Sequence, residues 1–146
     1  MYDIIGIGDS DVDLMIKVTK NPKRDEKVRG ELLGKFPGGI IGNFCCAASR
    51  FGAKTSIATV LGNDEYGNMN LESFKNFGVN TDSVIINNKD TYFCVVHLDS
   101  SGEKALTLVE TENLTPEISD IDIELLKQTR FIHLTSLDFK LAEFVC

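Results

Sequence analysis

The sequence predicts an α/β protein built on a parallel sheet, and three observations carry this prediction. Strand-like apolar segments alternate with helix-like segments from residue 28 to residue 86, which is typical of βαβ units. Two helix-to-strand joints are similar, FGAKT at 51–55 and FGVNT at 77–81. A glycine-rich bend, PGG at 37–39, leads directly into a helix of small residues. We therefore expect parallel strands joined by right-handed crossovers.

The segment before the bend predicts two strands and a loop. Residues 2–8 form an apolar run that indicates a buried strand, and a second apolar run covers 14–18. The stretch 17–29 is the most polar of the chain and contains Asn21-Pro22, which favours a loop. Residues 28–36 then predict a short strand that returns to the bend.

The bend and its helix are the centre of the predicted site. Gly38 and Gly39 allow the backbone to approach a ligand without intervening Cβ atoms. The free amides at the start of the helix suit hydroxyl or anionic ligands. A loop that merely needs glycines explains the bend equally well. The predicted sheet-facing stripe of this helix has the spacing i, i+3, i+4, i+7, and Gly52 ends the helix; the stripe contains Phe44, Ala47, Ala48 and Phe51.

The rest of the chain predicts a second βα unit and a hairpin. A strand at 55–61 precedes a helix that Asn63 or Asp64 caps and that ends at Gly78, with Leu71, Phe74 and Phe77 facing inward. A strand at 82–86 follows. Segments 91–98 and 104–110 predict an antiparallel hairpin. The remaining predicted elements are a cap at 115–117, a helix at 121–127, a strand at 130–134 and a helix after Leu137.

Composition narrows the function classes. The chain has 146 residues and is 42% hydrophobic, enough for a real core. A formal charge of -7 argues against nucleic acid as a partner, because nucleic-acid binders carry a concentrated basic face. No signal peptide and no run long enough to span a bilayer are visible, so we predict a cytoplasmic protein without a membrane partner.

The cysteines, the histidines and two known glycine motifs give little evidence for a functional site. Four cysteines lack metal-binding spacing, and His97 and His133 each lie alone in apolar runs, so packing roles are favoured for all six. A P-loop is excluded because Asn43, and not Lys, follows Gly42. Gly6-Ile7-Gly8 lacks the third glycine of a dinucleotide fingerprint, so an oxidoreductase is a weak alternative.

Three acids follow the first strand at every second position, Asp9, Asp11 and Asp13. In an extended chain their side chains point the same way, since side chains alternate along a strand. Solvation would explain them if polar residues followed, but an apolar run follows instead. Such carboxylates can accept hydrogen bonds from sugar hydroxyls, or bind a metal with partners.

Three segments together resemble the amino-terminal half of the ribokinase-like, or phosphofructokinase-B type, carbohydrate kinases. They are GIGDSDVDLMIKV at 6–18, PGGIIGNFCCAASRFGAKTSIATVLGNDEYG at 37–67, and the 91–110 hairpin. The resemblance covers essentially the whole chain. It implies a three-layer α/β/α parallel sheet with a small β lid, into which segments of about 12–36 and 91–110 would fit, and residues 1–146 as the N-terminal part of one kinase domain.

The resemblance also implies an activity and site residues. Members of the family phosphorylate a hydroxyl of a sugar, sugar phosphate or nucleoside with Mg-ATP. Asp13 is similar to the acid that holds sugar hydroxyls, and Asp11 occupies a neighbouring position facing the sugar. Gly38 and Gly39 resemble the backbone clamp on the sugar, and Asn43 the amide that completes it. Family lids often pair two protomers, which implies a homodimer.

The departures from the family pattern concern the sugar and the catalytic groups. Ribokinase tends to have Asn where Asp11 stands and Lys where Ile40 or Ile41 stands, so the sugar stays open. The family's second signature, a Gly-Ala-Gly-Asp run that supplies the catalytic base, is absent from residues 1–146. We expect it beyond Cys146, and we expect the fragment to be inactive alone, to hold no metal and to bind no cofactor tightly. The alternative is a stand-alone sugar- or nucleotide-binding module.

Overall fold

The computed structural model describes residues 1–112, 115–135 and 138–145. The strands of these residues are, in chain order, β1 (Tyr2–Gly8), β2 (Val12–Val18), β3 (Gly30–Pro37), β4 (Thr55–Gly62), β5 (Val84–Asn87), β6 (Phe93–Leu98), β7 (Lys104–Val109) and β8 (Thr129–Thr135). The helices are α1 (Ile40–Arg50), α2 (Glu65–Asn76), α3 (Ile123–Lys127) and α4 (Phe139–Val145), and a 3-10 turn covers Ile118–Asp120. None of the helices described is long and apolar enough to cross a membrane.

The predicted parallel sheet is confirmed. Strands β1, β4, β5 and β8 form it in the order β5-β4-β1-β8, and every pairing is parallel. All eight residues of β4 are buried, as expected for a strand covered on both faces. Strand β1 lies between β4 and β8, so the residues that follow β1 leave the sheet at its centre.

Helices cover both faces of this sheet and make three layers. On one face α1 and α2 pack through a buried cluster, and on the other face α4 and the segment around the 3-10 turn pack through a second one. The first cluster consists of Ile41, Cys45, Ile57, Leu61, Phe74 and Val79, and the second of Ile5, Ile7, Ala58, Ile121, Leu141 and Val145.

The predicted inward stripe of α1 is wrong in its rotation about the helix axis. Phe51 is 92% exposed, while Ile41 and Cys45 are fully buried against the sheet. Phe44 is half-buried and stacks on His133 with ring centroids 4.0 Å apart. In α2, Phe74 is buried as predicted but Phe77 is 39% exposed.

The predicted helix ends are confirmed. Gly52 follows α1 with φ 94° and Gly78 follows α2 with φ 75°, in the left-handed region that favours glycine. Asp64 caps α2 by accepting a hydrogen bond from the Gly67 amide at 2.7 Å. Leu137 and Cys146 lie outside the described residues.

The other four strands form a second sheet, called the small sheet below, in the order β3-β2-β6-β7. Strand β2 pairs with β3 antiparallel and with β6 parallel, and β6 and β7 form the predicted antiparallel hairpin. Lys35 of β3 joins this sheet to α2: its Nζ lies 2.8 Å from a carboxylate oxygen of Glu65 and 5.0 Å from the centroid of the Tyr66 ring.

Candidate functional site

The candidate site lies where the chain passes from β1 to β2 and meets the glycine bend. The amide of Gly38 donates a hydrogen bond to the backbone carbonyl of Asp11 at 2.8 Å. Gly39 has φ 81°, and a Cβ on it would lie 2.5 Å from Ser10 Cα and 2.7 Å from the Asp9 carbonyl oxygen. No larger residue fits there, so glycine is needed to bring the bend against the acidic segment.

Asp11 and Asp13 converge on Gly38. A Cβ on Gly38 would meet Asp11 Oδ1 and would lie 3.0 Å from Asp13 Oδ2. Asp11 is only 6% exposed, and no hydrogen bond reaches its Oδ1. Burial, and then the negative charges of Asp13 and Asp9, raise the pKa of Asp11 to about 7. Burial also raises the pKa of Asp13, while the charge of Lys104 acts in the opposite direction.

Asp9 is a structural acid. Its Oδ1 accepts a hydrogen bond from the Thr135 hydroxyl at 2.9 Å. Its Oδ2 accepts from the Tyr92 hydroxyl at 2.8 Å and from the Ile40 amide at 3.3 Å. Burial, followed by the hydrogen bond to Asp9, raises the pKa of Tyr92 above its usual range. Asp9 thus joins the ends of β1 and β8 to the start of α1 and to the segment that enters the small sheet.

Sequence reasoning did not separate Asp9 from the other two acids. The partners Tyr92 and Thr135 are 83 and 126 residues away along the chain. Spacing along a single strand carries no information about such distant partners. Only a prediction of which strand ends meet could have found these partners. The parallel pairing of β1 with β8 is the feature from which Thr135 could have been inferred.

Asn43 lies in the first turn of α1 and is exposed. Its backbone amide donates to the Gly39 carbonyl at 3.1 Å, so this first-turn hydrogen bond fixes Asn43 relative to the bend. Asn43 and Gly38 line a cavity of about 410 Å³ between α1 and α2, together with Phe36 of the small sheet. Asn43 and Gly38 thus line one cavity, and Asp11 and Asp13 lie next to Gly38 without lining that cavity.

A second set of hydrogen bonds fixes the point where the chain enters the small sheet. Asp64, at the start of α2, accepts from the Thr91 amide at 2.7 Å and from the Thr91 hydroxyl at 2.8 Å. The Thr91 hydroxyl in turn accepts from the Gly62 amide at 2.8 Å. Asn70 of α2 donates to the Asp11 carbonyl at 2.8 Å. Asp64 therefore caps α2 and fixes the position of Thr91 next to the start of this helix.

Gly6 and Gly8 are explained by packing. A Cβ on Gly6 would collide with the sulfur of Cys45, and a Cβ on Gly8 would lie 2.5 Å from the Thr135 carbonyl oxygen. These two glycines let α1 and β8 approach β1, which leaves no observation in favour of a dinucleotide site.

Among the described residues no group of three or more His, Cys, Asp or Glu could hold a metal ion.

Comparison with known proteins decides the family. The model of the pfkB family carbohydrate kinases matches residues 1–145. The chain belongs to this family. The ribokinase of Bacillus subtilis (strain 168) is 34% identical over 113 residues, which are 77% of this chain and 36% of that protein. A probable fructokinase-5 of Arabidopsis thaliana is 28% identical over 106 residues, 70% of this chain and 33% of that protein.

Solved structures of pfkB-type kinases share the fold. The structure of Arabidopsis thaliana ribokinase complexed with ribose and ATP superposes with a TM-score of 0.80 at 23% identity, over 99% of this chain and 50% of that chain. A ribokinase from Thermotoga maritima gives a TM-score of 0.81 at 22% identity, over 90% of this chain and 44% of that chain. The predicted fold class is therefore confirmed, and the chain spans about half the length of these ribokinases.

Proposed function

We propose that the complete protein is an ATP-dependent kinase that phosphorylates a hydroxyl of a sugar, sugar phosphate or nucleoside, and that residues 1–146 hold that substrate. The observation that carries this proposal is the convergence of the Asp11 and Asp13 carboxylates on Gly38, beside the start of α1. Membership of the carbohydrate kinase family supports it. Carboxylates together with the side-chain amide of an asparagine can satisfy both the donors and the acceptors of a polyol.

Each site residue has a role in this proposal. Asp13 and Asp11 bind hydroxyl groups of the sugar. The backbone of Gly38 and Gly39 lies against the sugar. Asn43 completes the site with its side-chain amide, which can donate and accept at once.

Phosphoryl transfer needs a positioned base, donors for the transferring charge and a Mg-nucleotide site. The described acids do not form a group that could hold a metal ion, and Asp64 is committed to Gly67 and Thr91. We therefore assign the base and the Mg-ATP site to sequence beyond Cys146. Residues 1–146 alone are then inactive and bind no nucleotide tightly. The structures of Arabidopsis and Cryptococcus neoformans ribokinases contain ATP and ADP respectively, which supports ATP as the phosphoryl donor.

The small sheet is proposed as a lid and as a homodimer interface. The side chains of Phe36, Leu106 and Leu108 are 45%, 55% and 49% exposed. Strand register places Phe36 and Leu108 on the face that carries Asp13. A partner protomer on this face would cover apolar surface next to the sugar. A cytoplasmic location is part of the same proposal.

The test is a coupled ADP-release assay with Mg-ATP and a panel of pentoses, hexoses, sugar phosphates and nucleosides. The complete protein should turn over at least one class, and residues 1–146 should turn over none. Binding of a sugar without turnover by the complete protein would favour the alternative, a sugar-binding module. Turnover by residues 1–146 would show that the catalytic groups lie within them.

A further inference from the structure

We propose that Asp11 binds the sugar as a neutral carboxylic acid that donates a hydrogen bond to a sugar oxygen, while Asp13 accepts one as a carboxylate. Sugar affinity then falls as the pH rises above neutrality. This inference rests on the proposed function and specifies the hydrogen-bonding state of its site.

Hydrogen bonding separates Asp11 from Asp9. Asp9 uses both oxygens, which accept from two hydroxyls and one backbone amide. Asp11 is more deeply buried than most acids in proteins, at 6% exposed, and its Oδ1 has no hydrogen-bond partner. This oxygen lies against Gly38, in the place that a Cβ on that residue would need. A buried, unpartnered polar atom beside a bend without side chains indicates a place for a ligand atom.

The surroundings of Asp11 disfavour its negative charge on balance, because burial and two like charges outweigh the backbone amides of Asp11 and Gly39, which favour the carboxylate. Asp9 and Asp13 add like charge, and the Asn70 side chain is bonded to the Asp11 backbone carbonyl and not to its carboxyl. The cation Lys104 acts on Asp13 and on Cys94. Two neighbouring carboxylates that share a buried site keep one proton between them. The titratable groups that face the pair from the adjoining segments are Asp9, Tyr92, Cys94 and Lys104.

The proton of the pair belongs on Asp11. Asp13 is half-buried and feels the positive charge of Lys104, so it is the acid that ionises first. Burial and the charges of Asp13 and Asp9 raise the pKa of Asp11 to about 7. Below pH 7, and above the raised pKa of Asp13, the site therefore offers one O–H donor and one carboxylate acceptor. Sugar hydroxyls match this pair, since a hydroxyl can accept from Asp11 and donate to Asp13.

The test measures sugar affinity against pH in the complete protein without nucleotide. Calorimetric titration with D-ribose and with D-fructose at pH 6, 7, 8 and 9 gives the dissociation constants. Wild type should bind about tenfold more weakly at pH 8 than at pH 6, because only the protonated fraction is competent. In Asp11→Asn, whose side chain does not titrate, the decline should be absent. Asp3→Asn, at the other end of β1, is the matched control and should keep the wild-type decline.

Several results would overturn the inference. Affinity in wild type that is constant from pH 6 to pH 9 would do so, and so would an equal decline in Asp11→Asn. If that variant does not fold, the carboxyl carbon resonance of Asp11 in the wild-type protein decides: a titration midpoint near 7 is expected, and one below 5 contradicts the neutral acid. Absence of binding at every pH by every pentose, hexose, sugar phosphate and nucleoside of the assay panel would contradict the proposed function itself.

Discussion

Asp11 destabilises the fold when it is ionised, which gives a prediction at the scale of one residue. Its pKa is about 7 in the folded protein and 3.8 in the ordinary, unfolded environment. The folded state therefore binds the proton more tightly, and stability falls as the pH rises from 4 to 7. Asp11→Asn does not titrate and so avoids this loss. The unfolding free energy of the variant minus that of wild type should therefore increase between pH 4 and pH 7, by at most about 4 kcal/mol.

Chemical denaturation of both proteins at pH 4, 5.5, 7 and 8 measures the difference. The gain should be complete by pH 8. A difference that stays constant across the series would show that the pKa of Asp11 is the same in the folded and unfolded states.

Asp64 is a residue whose hydrogen bonds hold two elements. It caps α2 through the Gly67 amide and accepts twice from Thr91. Asp64→Ala should lower the unfolding free energy by about 2–4 kcal/mol, since a cap and hydrogen bonds to a charged group are lost together. Urea denaturation measures the change. Asn63→Ala is the adjacent control and should change stability by less than about 0.5 kcal/mol; equal losses in both variants would contradict this role.

The glycine bend is an element that depends on missing side chains. Gly38→Ala places a methyl group against the carboxylates of Asp11 and Asp13. We expect at least a tenfold loss of sugar affinity and a stability loss of about 1–3 kcal/mol from overpacking. Gly52→Ala is the control: it sits at the other end of α1, where an added Cβ meets nothing within 4 Å. Its positive φ should cost stability but leave sugar affinity unchanged, and an equal affinity loss in both variants would contradict the site.

Helix α1 shows what the sequence could and could not predict at the element scale. Its start at the bend and its end at Gly52 follow from local backbone requirements, which sequence reports well. Its rotation does not. The spacing that predicted an inward Phe51 also fits Ile41 and Cys45, because the helix is apolar around most of its circumference. The contacts of β1 and β4 decide between the two, and these depend on tertiary packing.

In the candidate site, too, local sequence predicts some features and tertiary packing decides the others. Asp11, Asp13 and the glycines were found from spacing and from the family resemblance, and the structure brings them together. The separate role of Asp9 depends on Tyr92 and Thr135, whose approach is set by the order of strands in the sheet. Local pattern therefore predicted the residue types of the site, while the assembled molecule distributes the hydrogen bonds among them.

At the scale of the whole molecule, the small sheet predicts self-association. Among the strands of the described residues, β3 and β7 are the outer two of this sheet and each pairs on one side only, and the apolar side chains of Phe36, Leu106 and Leu108 are exposed. Soluble proteins usually cover such edges and patches. Light scattering of the complete protein at micromolar concentration should give a dimer, and the double variant Leu106→Lys, Leu108→Lys should give a monomer. A strictly monomeric wild type would contradict this interface.

We propose that this chain carries the sugar site of a pfkB-family kinase, and the sugar affinity of Asp13→Ala decides whether it does. Calorimetry should show the sugar that the complete protein turns over binding at least tenfold more weakly to this variant, roughly 1.4 kcal/mol. Asp3→Ala, whose carboxylate bonds the Lys54 amide and Arg130 at the other end of β1, should bind as wild type does. Unchanged sugar affinity in a folded Asp13→Ala protein would contradict the claim.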